Sequence, residues 1–371
     1  MAAVMLAASG CSDSKSYVSN SNEPKELKIT YVKSPLNIPS IIDKNLQTVS
    51  KEFAKTDTKI SYPEINSGAK QTEALAAGSL DICSALGGTS AILAASNGVD
   101  LKIVGIYSRA PKAFTIMAKD PNITTVSDLT GKKVAGPKGT ILHQILVAAL
   151  AKNNLKPDSV ELLSMDIPPS VNAMLNGNVD AALVAGSDVL RAQKAGAHII
   201  ISGEGLVDAT IVIAARGDLV KNNPDILKRY LSAHRKNIDY MNQEQAKAYD
   251  FTAQATGLAP EDVVTMAPWY DFDPEIKTSD IEDLNATQEF LLATGLQKNK
   301  IDLTPYIKEK DNLLAAEVHK TRCCAAVTGL SPVHRAMVAA ALAEETKRPL
   351  LLLCADEKEC ARQAADVQVL L

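Results

Sequence analysis

Apolar and polar positions along this chain fall into alternating runs, continuous runs and helical stripes. Leu27 to Val32 alternates as a strand, and Ser34-Pro35-Leu36-Asn37 turns it toward apolar positions at Ile41, Ile42, Leu46, Val49 and Phe53, whose spacing predicts one helix. Lys59 to Ile65 reads as the next strand. Ser67-Gly68 then opens a stretch that occurs twice. In Ala74 to Gly98 and again in Ala173 to Gly196, an apolar helix stops at a glycine (Gly78, Gly177) and an aspartate follows three residues later (Asp81, Asp180). A buried-type strand and a Gly-Gly-Thr-Ser or Gly-Ser-Asp turn then start another helix. Each copy runs on into a strand, from Leu101 and from His198, and each is preceded by a strand feeding a helix, from Leu27 and from Lys132. The pattern is two similar β-α-β-α-β units, which we take as two lobes.

Between the copies, A-F-T-I-M-A-K from Ala113 is a strand that carries the chain out of the first lobe. Ile141, Ile145, Ala149 and Leu142, Leu146, Leu150 form two adjacent rows, so the helix that opens the second lobe buries a wide face. Ile211 to Arg216 reads as a strand returning to the first lobe, and the segments from Pro224 and from Asp280 are amphipathic helices, the latter ending at Gly295. The fold class predicted is α/β, each lobe a sheet flanked by helices. Lobe 1 takes residues 25–112 and 206–310, and lobe 2 takes 113–205. Two crossings make this a hinge architecture.

Composition narrows the function. Of 371 residues 46% are hydrophobic, and 39 basic against 43 acidic side chains leave a formal charge of -4, which argues against a nucleic-acid-binding surface. There is no run of about 18 apolar residues to span a membrane. Met1 to Gly10 is small and apolar, and Ala8-Ser9-Gly10-Cys11 resembles a bacterial lipobox, followed by a polar, Ser-rich tether; residues 1–24 are read as lipoprotein signal and tether, with Cys11 as the lipid attachment. The apolar run is short and has no Lys or Arg before it, as a start codon placed too far downstream would explain. Cys83 lies in a strand-like run as a buried thiol, and Cys323, Cys324, Cys354 and Cys360 fit no zinc spacing.

Candidate chemistry sits in the strand-to-helix turns. In an open α/β sheet ligands bind beyond the carboxyl ends of the strands, where helix N-termini offer unpaired N–H groups and about half a positive charge. Four turns meet that description: Ser34-Pro35-Leu36, Gly87-Gly88-Thr89-Ser90, Lys138-Gly139-Thr140 and Gly186-Ser187-Asp188. Glycine lets a ligand reach the backbone and Ser or Thr adds a donor. Taken singly, each turn is also an ordinary helix cap. Arg109 at the end of its strand either grips an oxyanion bidentately or is a solvated surface arginine. Asp188 either caps its helix or binds an amino group. Glu204 at the second crossing completes the candidate set. Trp269 and Tyr270 either line the cleft or belong to the core. His143 follows a candidate turn and is read as lying behind it or on the surface. Enzyme motifs are missing: there is no G-x-S-x-G, H-E-x-x-H, P-loop or dinucleotide fingerprint, and no cofactor or metal is expected.

From Lys25 to Ile307 the chain resembles the solute-binding proteins of ABC importers for aliphatic sulfonates, taurine, nitrate and thiamine-precursor pyrimidines. The resemblance rests on S-P-L-N-I-P, D-L-T-G-K-K-V-A-G-P-K-G-T-I-L-H, L-N-G-N-V-D-A-A-L-V and W-Y-D-F-D-P-E-I in order. It implies a two-lobed periplasmic-binding-protein-like fold of type II, closing as a monomer over a small anion and delivering it, chemically unchanged, to a membrane permease. An aliphatic sulfonate is the first expectation, nitrate or a pyrimidine precursor the second, and a pyrimidine-forming enzyme of the same fold the alternative class. The location implied is extracytoplasmic, lipid-anchored to the membrane. From about Ala325 to Leu371 the sequence instead resembles the opening of the N-terminal module of the bacterial transcription-repair coupling factor, and is read as a fused fragment.

Overall fold

A computed structural model describes residues 23–307 apart from Pro35 and Asp57. Cys11, the expected signal and tether up to residue 22, and the 325–371 tail lie outside the described residues.

The strands are β1 (Glu26–Lys28), β2 (Lys59–Ser61), β3 (Ile82–Gly87), β4 (Leu101–Arg109), β5 (Phe114–Ala118), β6 (Lys133–Gly136), β7 (Glu161–Ser164), β8 (Ala181–Ala185), β9 (His198–Ser202) and β10 (Thr210–Arg216). The α-helices are α1 (Ile38–Leu46), α2 (Thr48–Glu52), α3 (Gly68–Ala76), α4 (Gly88–Ser96), α5 (Ile141–Lys152), α6 (Ile167–Leu175), α7 (Ser187–Lys194), α8 (Gly217–Asn222), α9 (Pro224–Gln243), α10 (Gln245–Thr256), α11 (Pro260–Met266) and α12 (Thr278–Ala293).

The duplication read from the sequence reappears as duplicated topology. One sheet runs β7-β6-β8-β5-β9. In the other, the parallel pair β2-β1 joins β3-β10-β4 through the parallel bridge Ile29–Ile82 and the bond from Thr30 N to the Ile82 carbonyl (3.0 Å). Strand for strand, β2-β1-β3-β10-β4 matches β7-β6-β8-β5-β9. In both, the fourth strand is antiparallel to its neighbours and arrives from a crossing. The crossings are tied to each other: Gly203 N donates to the Pro111 carbonyl (2.9 Å) and Ala110 N to that of Asp208 (3.1 Å).

The repeated glycine and aspartate have a physical reason. Gly78 (φ +69°) and Gly177 (φ +74°) reverse the chain after α3 and α6. Each aspartate then reaches the first strand of its unit: Lys28 N donates to Asp81 Oδ2 and Lys133 N to Asp180 Oδ2, both at 2.8 Å. Asp81 is buried and also pairs with Arg216 (3.1 Å), whereas Asp180 is more open to water beside Lys132 (3.5 Å). Asp81→Ala is therefore expected to cost about 1–3 kcal/mol by urea denaturation, and Asp180→Ala less. Equal losses would mean the two copies are not held by the same device at different burial.

One expected helix is broken. The stripe Ile41 to Phe53 is split at Gln47, whose φ of +54° separates α1 from α2. The break is stabilised by buried Asp43, whose Oδ1 accepts Val49 N (2.8 Å) and whose carbonyl accepts Gln47 N (2.6 Å). The α5 face is buried along both predicted rows. A continuous apolar cluster runs from α1 and α9 under the first sheet through the crossings into the α5 face of the second. Separate clusters fill the α3–α4–α12 side and the α6–α7 side.

Candidate functional site

The four turns leave the carboxyl ends of β1, β3, β6 and β8 and lead into α1, α4, α5 and α7. The arrangement brings the start of α5 near the start of α4, from the other sheet, through the side chain of Ile141. A Cβ placed on Gly87, at the start of α4, would lie 3.9 Å from Ile141 Cδ1, at the start of α5. On the other side α1 packs on α10, α10 on α11 and α11 on α7. No side chain caps α4, α5 or α7, so the first-turn amides of these helices have no side-chain acceptor. Gly186 precedes α7 at φ +60° and ψ -132°, a conformation that only glycine adopts without strain.

Individual residues fare differently. Thr89 is buried at the α4 start, and Ser187 stands partly exposed at the first position of α7. Lys138 is exposed at the tip of its turn, while the Thr140 hydroxyl donates to the Pro137 carbonyl (2.9 Å) and keeps only its lone pairs. The Gly139 amide is not free for an anion, because it donates to His143 Nδ1 (3.2 Å). Gly88 is a glycine for packing: a Cβ there would meet Leu284 at 3.0 Å and the Thr210 carbonyl at 3.1 Å, so the residue makes room for α12 and β10 instead of for a ligand. Ser90 Oγ packs against Gly68, which has no Cβ to obstruct it. Leu36 is wholly buried in the core, which removes its side chain from any ligand; Ser34 is exposed, and Pro35 is outside the described residues.

Arg109 corrects both readings of it. Nε and Nη2 grip Asp280 (2.5 and 2.6 Å), Nη1 bonds Asp271 Oδ2 (3.2 Å) and the Asp273 carbonyl (3.0 Å), and Nη2 also bonds the Glu275 carbonyl (2.8 Å). All five N–H donors of the guanidinium are used, and the side chain is neither on the surface nor open to an oxyanion. Asp188 does not cap α7; it accepts from Arg191 Nε (2.9 Å), while Arg191 Nη1 donates to Asn172 Oδ1 (3.0 Å). Glu204 is exposed and pairs with Lys112 (3.4 Å). Trp269, Tyr270, Arg109, Lys112 and Asp208 line an open cavity of about 300 Å³ at the crossings. Trp269 thus combines the two readings, lining this cavity while packing on the cores of both sheets.

Asn37 carried no local signal of its role, whereas His143 is read as lying behind its turn or on the surface. Asn37 is buried and closes the first turn by donating to the Ser34 carbonyl (3.1 Å). His143 is buried as well, against the surface reading, and lies edge-on to Phe290 (5.2 Å, 81°). Burial first, and then the charge of Lys138, push its pKa down to about 4. No group of His, Cys, Asp and Glu among the described residues could hold a metal. What the turns offer is a set of amide, hydroxyl and ammonium donors at the positive ends of helices, suited to holding a small anion.

Comparison with known proteins gives the chain a family and a fold. A protein of Escherichia coli (strain K12) named as an aliphatic sulfonates-binding protein is 34% identical over 165 residues, 44% of this chain and half of that one. A protein of Bacillus subtilis (strain 168) with the same name is 26% identical over 287 residues, 76% of this chain and 86% of that one. The alkanesulfonate-binding protein SsuA from Xanthomonas axonopodis pv. citri, solved bound to MOPS, superposes with a TM-score of 0.70 over 77% of this chain and 99% of that one; at 24% identity the likeness is one of fold, that of periplasmic binding proteins. The NMT1/THI5-like family model matches residues 53–248, more than half of the sequence, and the chain belongs to that family.

Proposed function

We propose that this chain is the solute-binding protein of an ABC importer, capturing a small organic anion, first an aliphatic sulfonate, and delivering it unchanged to a membrane permease. The observation that carries the reading is that the uncapped starts of α4 and α5, from different sheets, are neighbours, with the Ile141 side chain of α5 reaching the Gly87 turn of α4. Positive helix ends favour negative charge beside them. A sulfonate offers three acceptor oxygens and no proton, which suits the ammonium of Lys138 and the hydroxyls of Thr89 and Ser187 as donors. The names of the Escherichia coli and Bacillus subtilis relatives support the same ligand class. The reading includes an extracytoplasmic location, lipid anchoring through Cys11, and a monomer whose moving bodies are 25–112 with 206–310 and 113–205; the 325–371 fragment takes no part.

Ligand should raise the melting temperature. At about 100 times Kd, ethanesulfonate or taurine would add about 2.7 kcal/mol of stability. A shift with a pyrimidine or nitrate and none with sulfonates would overturn the ligand, and turnover of any of these would move the protein to the enzyme class.

A further inference from the structure

We infer that His143 is a positioning residue of this site, through which α12 sets the shape of the 137–140 turn. The inference rests on the function proposed above.

Gly139 sits at φ +77°, and its amide donates to His143 Nδ1 across the start of α5. Nδ1 therefore carries a lone pair, the ring is neutral and the proton is on Nε2. Together with the Thr140–Pro137 bond, this fixes the turn at both ends, so that the amides of the first turn of α5 and Lys138 are presented in one arrangement.

What fixes the imidazole is α12. Phe290 stands against the ring. One residue on, Gln144 and Thr287 exchange two buried hydrogen bonds, Gln144 Nε2 to Thr287 Oγ1 (3.0 Å) and Thr287 Oγ1 to Gln144 Oε1 (3.2 Å). Leu296, just after α12, would lie 3.4 Å from a Cβ on Gly139. The helix itself is fastened to the first sheet, by Asp280 to Arg109 and by Asp283 to the Thr210 hydroxyl (2.7 Å). A donor turn on the second sheet thus takes its shape from a helix held by the first, and the donors come into register when the two sheets engage.

The test compares three variants by calorimetric titration with ethanesulfonate and taurine at neutral pH. His143→Leu fills the Phe290 contact and offers no acceptor, His143→Gln places its oxygen beyond Nδ1, and His143→Asn places one close to Nδ1. Leu and Gln are expected to weaken binding about tenfold, the equivalent of about 1.4 kcal/mol, with Asn recovering most of it. If Leu fails to fold, Gln against Asn decides. Unchanged affinity in Gln and Leu, or an equal loss in all three that follows their melting temperatures, would make His143 a packing residue and overturn the inference alone. A wild-type chain that binds neither sulfonate would overturn the functional reading and this inference with it.

Discussion

Asp280→Ala is expected to destabilise the fold by about 3–5 kcal/mol, the cost of leaving a buried charge without its partner. Asp280 is 0% exposed and accepts Arg109 Nε and Nη2 and the Lys277 amide (2.6 Å), so its carboxylate is fully engaged. Removing it leaves a guanidinium beside the crossings with Asp271 as its remaining ion pair. Arg109→Met should cost a similar amount by stranding the carboxylate, and the double change Arg109→Met with Asp280→Leu should recover much of the loss, because neither charge then remains buried. The exposed pair Lys300–Glu289 is the control, expected to contribute less than about 1 kcal/mol. Urea midpoints of these variants against wild type check this; a loss under about 1 kcal/mol for Asp280→Ala would refute it. Had Arg109 been a ligand residue, its removal would show first in affinity. Here it should show first in stability.

This ion pair also marks the limit of what the sequence discloses. The duplicated units were legible because their devices are local: a helix stop, three residues and an aspartate reproduce the same bond in both copies, at Lys28 and at Lys133. The strand carried from each crossing was legible from its apolar run. Arg109 and Asp280, by contrast, are 171 positions apart, and no spacing rule connects them; an arginine after a strand has the same local appearance whether it holds a ligand or a helix. The break between α1 and α2 was hidden for a similar reason. The apolar stripe continues across Gln47, and what stops the helix is the buried Asp43 carboxylate accepting Val49 N from beyond the break. In the candidate site, the turns were found from their glycines and hydroxyls, yet Gly88 answers to Leu284 and Gly139 to His143. Short motifs locate helix N-termini well; which of their amides remain open is decided by distant neighbours.

Acid should weaken the fold well before the carboxylates of an unfolded chain titrate. His234 is buried against Tyr107 (ring centroids 5.4 Å apart) and Tyr230 (6.4 Å), and its Nε2 has no hydrogen-bond partner. Burial first, and then the charge of Arg235, push its pKa from 6.5 down to about 4; His143 falls to about 4 as well, by burial and Lys138. Between these values an unfolded chain binds protons that the folded chain refuses. The stability each neutral histidine represents is therefore complete above about pH 6.5 and is lost progressively as the pH falls toward about 4, roughly 3 kcal/mol for each. Asp43 and Asp283 act in the other direction, since burial raises both: the folded chain takes up their protons first, which offsets part of the loss at the acid end. Urea midpoints between about pH 7 and about pH 4.5 should fall with nearly two protons taken up on unfolding. His234→Phe keeps the ring stack and removes the titration, so it should halve the slope and be more stable than wild type, relative to neutral pH, near pH 5. A slope unchanged by that substitution would mean the ring is already protonated in the fold, and the account of a buried neutral histidine beneath α1 would fail.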